Sequence, residues 1–202
     1  GDLDLSEEIL IGNDLCGEMP RLVTEYAGPQ PLWLADPSTW NAFSEVDPER
    51  KTGRPEEEES LHLLPSHPHA DKEQVGRVCG LVEGGGFSGI VAVGSGTVND
   101  IAKMAATLSA VPYLAFATAA SMNGYTSGIA AILADGLKIT VPARPPRALI
   151  MDSNVLAKAP PELAQAGLGD LLSKPVSTAD WWIGDRLEGR GFDEFPGRIV
   201  DD

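Results

Sequence analysis

The chain has 202 residues, 43% of them hydrophobic and few aromatic, which is room for one large domain or for one domain and part of a second. Its formal charge of -15 argues against nucleic acid and against anionic membrane surfaces, both of which attract the opposite sign. No apolar run reaches the length of a membrane span, and the acidic start lacks the basic and apolar order of a signal peptide, so the expectation is a cytoplasmic protein with Cys16 and Cys79 as reduced thiols.

Residues 9–15 form a short apolar start carrying Gly12, and residues 22–27 are predicted helical, stopped by Gly28-Pro29. Leu32-Trp33-Leu34-Ala35 reads as a strand ending at Asp36, with Pro37-Ser38-Thr39 starting a helix. An acid at the tip of an early strand can accept a ribose hydroxyl of a dinucleotide or simply cap the next helix; both readings stay open. Residues 47–60 are polar, with Gly53, Pro55 and four glutamates in a row, and are expected to be a solvated surface connection. Residues 61–64 are the next strand candidate. In residues 71–84, Val75, Val78, Cys79 and Val82 recur at helical spacing.

The most informative stretch is Ile90-Val91-Ala92-Val93-Gly94-Ser95-Gly96-Thr97-Val98-Asn99-Asp100-Ile101-Ala102-Lys103. A strand that stops at Gly-Ser-Gly lets backbone N–H groups of Gly94, Ser95, Gly96 and Thr97 converge, and the helix after it points its positive end at the same spot. An anion such as a pyrophosphate is held by such a turn, whose glycines also tolerate positive φ. The third glycine of the usual dinucleotide fingerprint is replaced by Asn99, and no Gly-Lys-Ser/Thr follows, so neither standard phosphate motif is met. Asp100 instead sets a carboxylate one turn into the helix. Alone, this element is equally a ligand loop or a tight strand-to-helix turn.

A second short strand, residues 113–117, ends in Thr118, Ser121, Thr126 and Ser127. If the two strands are parallel, their carboxyl ends open onto one crevice, where these hydroxyls reach phosphate or ribose oxygens, or else only cap a helix and fill a turn. Residues 148–151 are another buried strand. Pro160-Pro161-Glu162 starts a helix expected to reach Leu187, interrupted at Pro175, with Trp181 and Trp182 as packing residues. Residues 189–202 have no clear period. The alternation of strands and helices argues for a parallel sheet with right-handed crossovers.

The two loops, together with Lys138-Ile139-Thr140, residues 145–152, 155–160 and Ala166-Gly167-Leu168-Gly169-Asp170-Leu171-Leu172-Ser173-Lys174, resemble the superfamily of metal-dependent polyol dehydrogenases and dehydroquinate synthases. Within it they are most similar to the branch acting on glycerol 1-phosphate. The resemblance implies an α/β fold: a parallel-sheet nucleotide-binding domain at 1–157, followed at 158–202 by the first helices of an all-α metal-binding domain. It implies NAD or NADP bound by Asp36, Gly94, Ser95, Gly96, Thr97, Asp100, Thr118, Ser121 and Ser127, with Asp100, Asn123 and Asp170 in catalysis.

Asp170, expected just inside a helix start, corresponds to one of three protein ligands of a divalent cation (zinc, nickel or iron). The other two ligands in the family are histidines that come later. Here the only histidines are His62, His67 and His69, all before the glycine loop and beside Pro65 and Pro68; they are expected to be exposed loop residues. The metal site is thus one ligand of three, and the expectation is the first part of a longer enzyme, inactive by itself and prone to associate through Leu168, Leu171 and Leu172. Asn123 stands where the family more often has an acid, which keeps hydrogen bonding but removes charge. The implied activity is NAD(P)-dependent interconversion of dihydroxyacetone phosphate and sn-glycerol 1-phosphate, with a phosphorylated polyol as the small-molecule partner, no nucleic acid or membrane, and a homo-oligomer. The alternatives are another polyol dehydrogenase, a dehydroquinate synthase-like enzyme, or a nucleotide-binding module without catalysis.

Overall fold

In a computed structural model that describes residues 5–47, 49, 52–55, 60–189 and 191–194, three short strands set the frame. They are β2 (Pro31–Ala35), β4 (Gly89–Gly94) and β5 (Tyr113–Ala117), and every residue in them is buried. Runs without alternation are what a parallel sheet covered on both faces requires. With β1 (Glu8–Gly12), β3 (Leu61–Leu63) and β8 (Ala148–Asp152) they form one sheet in the order β1-β8-β5-β4-β2-β3, all pairs parallel.

Successive strand residues point to opposite faces, and the two cores follow that period. Leu32, Leu34, Ile90, Ala92, Tyr113 and Ala115 pack with α3 (Lys72–Gly85) and α4 (Gly96–Leu108) through Val75, Val78, Val82 and Ile101. Trp33, Val91, Val93, Leu114 and Phe116 face Met19, Leu22 and Phe43 on the other side. Phe43, from α2 (Pro37–Val46), stacks edge-on against Phe116 with centroids 4.8 Å apart. Register then aligns the strand ends: Ala35 pairs with Val93, and Gly94 with Ala117. Asp36, Ser95 and Thr118 therefore leave the sheet at one edge.

Several sequence expectations are corrected. Residues 22–27 are not one regular helix: α1 (Met19–Leu22) runs into a π turn (Val23–Ala27) that ends at Gly28, whose φ is 85°. The polar connection after α2 is not wholly solvated, since Asp47 and Thr52 are buried and the Asp47 carboxylate accepts both the N–H and the hydroxyl of Thr52. The four glutamates, residues 56–59, lie outside the described residues, as do 190 and 195–202 of the final segment.

A hairpin of β6 (Ile129–Ala134) and β7 (Leu137–Pro142) turns through Asp135 and Gly136, both at positive φ, as a two-residue primed turn demands. After α5 (Ser153–Leu156), α6 (Pro161–Glu188) is a single 28-residue helix that carries Pro175 inside it without a break. Asp170 is therefore in the body of α6, not at its start. Trp181 does pack, its ring 5.0 Å from that of Phe192 and its indole N–H donating to the Gly191 carbonyl at 2.7 Å. Among the described residues no helix is long and apolar enough to cross a membrane.

Candidate functional site

Ser95 is the N-cap of α4 in extended conformation, and its hydroxyl makes no capping bond. The first-turn N–H groups of a helix have no partner inside it, and the Ser95 side chain gives them none here. Gly94 is fixed by space and not by backbone freedom: a Cβ there would sit 2.5 Å from Val98 Cβ. Gly96 also lacks the positive φ that a glycine bracket suggests; its open side faces Met122, whose sulfur would be 3.3 Å from an added Cβ.

Two hollows flank this turn and share Pro68, His69 and Thr97. The larger, about 570 Å³, lies between Asp36, Ser95, Thr118 and Lys158 and has an apolar wall that includes Val98, Ala119 and Leu163. Asp36 is a helix cap that also borders the hollow. Its Oδ1 accepts the N–H groups of Ser38 (2.8 Å) and Thr39 (3.0 Å) as a helix cap, and the residue lines the hollow. Thr39 donates to the Val93 carbonyl at 2.9 Å and ties that cap to β4. Thr118 is buried, with its N–H on the Gly94 carbonyl at 3.2 Å.

The smaller hollow, about 350 Å³, is lined by Gly96, Asp100, Ser121, Met122 and Lys138 among others. Burial raises the Asp100 carboxyl above its usual range, opposed by the charges of Lys103 and Lys138 and a hydrogen bond from the Ala131 backbone. Ser127, expected to bind the cofactor, lines neither hollow, and its hydroxyl donates within its own loop, to the carbonyl of Gly124 (2.8 Å) or of Ile129 (3.1 Å).

The loop after β5 also meets α6. The Asn123 N–H donates to Asp170 Oδ2 at 2.9 Å, and Lys174 Nζ lies 3.2 Å from Oδ1. That backbone N–H first, and then Lys174, hold the Asp170 carboxyl below its usual range. Gly167 makes the approach possible, because a Cβ on it would collide with the Ala120 carbonyl. Asn123 and Asp170 are thus brought together, although in sequence they are far apart.

The histidines are not only loop residues. His62 is half-buried in β3, where burial and then Arg77 lower its pKa, while His67 and His69 line the larger hollow. They do not complete a site with Asp170: among the described residues no three His, Cys, Asp or Glu side chains are placed to hold a metal ion. Two buried residues of α4 carried no assigned role, Asn99 and Lys103. The only signal was an i, i+4 polar pair interrupting an apolar helix face. Neither amide atom of Asn99 has a partner among the described residues. A separate cavity at the β1–β8 edge, about 500 Å³, is lined by Asp14, Asp47, Glu49 and Asp152, a charge hostile to phosphate.

A parallel sheet whose strand ends open on an uncapped helix N-terminus defines an α/β nucleotide-binding fold. The family described as iron-containing alcohol dehydrogenase matches residues 10–160, and the chain belongs to that family. A Bacillus velezensis protein named glycerol-1-phosphate dehydrogenase (NAD(P)+) is 32% identical over 203 residues, covering 97% of this chain and 50% of the relative. Its Bacillus subtilis namesake is 40% identical over 111 residues, 55% of this chain and 28% of that protein. A probable glycerol dehydrogenase from Sinorhizobium meliloti shares the fold with a TM-score of 0.71 at 22% identity, over 87% of this chain and 47% of that one. NADH-dependent butanol dehydrogenase A from Thermotoga maritima does so with 0.70 at 16%, over 87% and 50%. The chain spans about half the length of the relatives that it matches from end to end.

Proposed function

We propose that this chain is the cofactor-binding part of an NAD(P)-dependent dehydrogenase that interconverts dihydroxyacetone phosphate and sn-glycerol 1-phosphate. The observation that carries the reading is the uncapped start of α4, open to a hollow bounded by Asp36 and Thr118. It fits the cofactor: N–H groups for a pyrophosphate, a carboxylate for a ribose hydroxyl, and an apolar wall for a ring. The relatives' names support the substrate.

In this reading the N–H groups of residues 94–97 hold the pyrophosphate and Asp36 Oδ2 accepts a ribose hydroxyl. Thr118 and Ser121 add hydroxyls along the crevice. The bound nicotinamide supplies the hydride chemistry. Asp100 and Lys138 then face the substrate side, in the smaller hollow, where Lys138 places positive charge near a phosphate in an otherwise acidic chain. Asp170 is read here as a carboxylate ligand to a divalent metal. Since the described residues bring no second and third ligand to it, no step is assigned to a metal here. We further read residues 1–157 as the nucleotide domain and 158–202 as the start of a helical one, supported by α6, which has no buried residue.

The test is a panel of ketones and polyols, phosphorylated and free, assayed with NADH and NADPH on the full-length protein. Dihydroxyacetone phosphate is expected to give the highest kcat/KM. A preference for an unphosphorylated substrate would move the assignment to another polyol dehydrogenase. Tight NADH binding without any turnover would leave a nucleotide-binding module.

A further inference from the structure

Lys103 is fully buried on α4, one turn after Asp100. Its Nζ lies 3.0 Å from the carbonyl oxygens of Gly124, Ser127 and Ile129, and 3.1 Å from Ser127 Oγ. An ammonium has three N–H donors, and here all its acceptors belong to one six-residue segment. Among the described residues no carboxylate touches the ammonium, and the one opposite charge that acts on it, Asp100 one turn before, offsets only part of the effect of burial. Burying a cation with no opposite charge in contact is costly, and an apolar side chain of similar length would fill the space more cheaply. A cation persists in such a place where oriented oxygens replace its water and the arrangement they adopt is needed.

What the segment connects gives that need a location. On its N-terminal side is Asn123, whose N–H holds Asp170. On its C-terminal side β6 brings the Ala131 backbone to Asp100. Tyr125, inside the segment, adds a brace by donating to the Ala119 carbonyl at 2.7 Å. Helix α4 itself begins at the glycine turn, so the lysine links the phosphate end of the site to the loop that carries the substrate end. Asn99, one turn before Lys103 on the same face, is buried alongside it.

We propose that Lys103 is a positioning residue, clamping residues 124–129 onto α4 so that Asn123 and β6 are held in register with the cofactor crevice. The proposal rests on the functional reading above for what the register serves, but the clamp itself is testable without it.

The experiment compares wild type, Lys103→Met, Lys103→Arg and Ser127→Ala in the full-length protein. Amide hydrogen exchange, the NADH dissociation constant and the kinetics with dihydroxyacetone phosphate are measured on each. Lys103→Met is expected to speed exchange over residues 123–129 about tenfold or more and to leave residues 90–98 protected. It is expected to lower kcat about tenfold, with the NADH dissociation constant within about threefold. Lys103→Arg, which keeps charge and donors, should recover part of both. Unchanged exchange in Lys103→Met would overturn the clamp. Equal loosening of the whole sheet with equal loss of NADH binding would also overturn it, as the mark of a core residue alone. Should Lys103→Met fail to fold, Ser127→Ala carries the test: local exchange and kcat change if the clamp is real, and neither changes if it is not. Loosening at residues 123–129 in a protein that turns over no phosphorylated ketone would uphold the clamp and reject the assigned activity.

Discussion

The glycine turn and helix α6 border the same crevice and are held in opposite ways. The turn is set by the sheet: β4 is buried throughout, Gly94 has no room for a side chain beside Val98, and α4 packs its apolar face on the core. Helix α6 has no buried residue, exposes Leu168, Leu171, Leu172 and Val176 by more than half, and meets the loop after β5 through Gly167 and Asp170. A site for a flat, charged cofactor can be built from backbone on a finished core. Asp170, by contrast, owes its place to one N–H and one close helix contact, and most of the apolar face around it is uncovered in this chain.

If the two regions divide the work in that way, mutations should separate binding from turnover. On the proposed reading of Asp170 as a metal ligand, Asp170→Ala in the full-length protein is expected to lower kcat/KM for dihydroxyacetone phosphate about 100-fold, with little change in NADH affinity. Steady-state rates and calorimetry check this, together with metal content. Gly94→Ala should do the reverse, forcing Val98 to move and weakening NADH binding. Thermal unfolding should show a loss of about 1–3 kcal/mol for such overpacking. Gly167→Ala sharpens the comparison, because it pushes α6 off Ala120 while leaving the turn alone. Here kcat should fall several-fold with the NADH dissociation constant unchanged, and a drop in NADH affinity would mean that α6 and the turn are one unit.

How far the sequence carried this picture differs between the same two regions. Strands β2, β4 and β5 and the glycine turn were legible because apolar runs, Gly-Ser-Gly and a helical period are local signals. Asp36 was readable as cap or ligand for the same reason. The contact of Asn123 with Asp170 was not, since no local pattern says that a glycine in α6 will lie against a loop 47 residues earlier. The uninterrupted course of α6 through Pro175 likewise escaped a rule that treats proline as a stop. The β6–β7 hairpin is signalled only by the dipeptide Asp135-Gly136, a two-residue cue between short apolar runs. Lys103 was hidden by its type: a lysine on a helix ordinarily points to water, and only the structure shows its surrounding oxygens.

The smallest effect concerns pH. Burial pulls the Lys103 ammonium down to about 8 from its ordinary 10.5, with Asp100 partly opposing. Below pH 8 both folded and unfolded chains carry the proton, and the penalty of burying it is fully present. Between about 8 and 10.5 the folded chain has released the proton and the unfolded chain has not, so stability contributed by this residue rises with pH. Chemical denaturation of wild type against Lys103→Met should show wild type gaining relative stability over that window. A constant difference would mean that the lysine titrates normally.

The central claim is where the dinucleotide lies, and two cavities compete for it: the crevice between Asp36, Ser95 and Thr118, and the acidic cavity lined by Asp14, Asp47 and Asp152. Amide hydrogen exchange of the full-length protein with and without saturating NADH decides between them. Protection is predicted over residues 94–99 and 118–121, with residues 14–17 and 152–154 unaffected. Protection confined to the second set, with the glycine turn unchanged, would contradict the account.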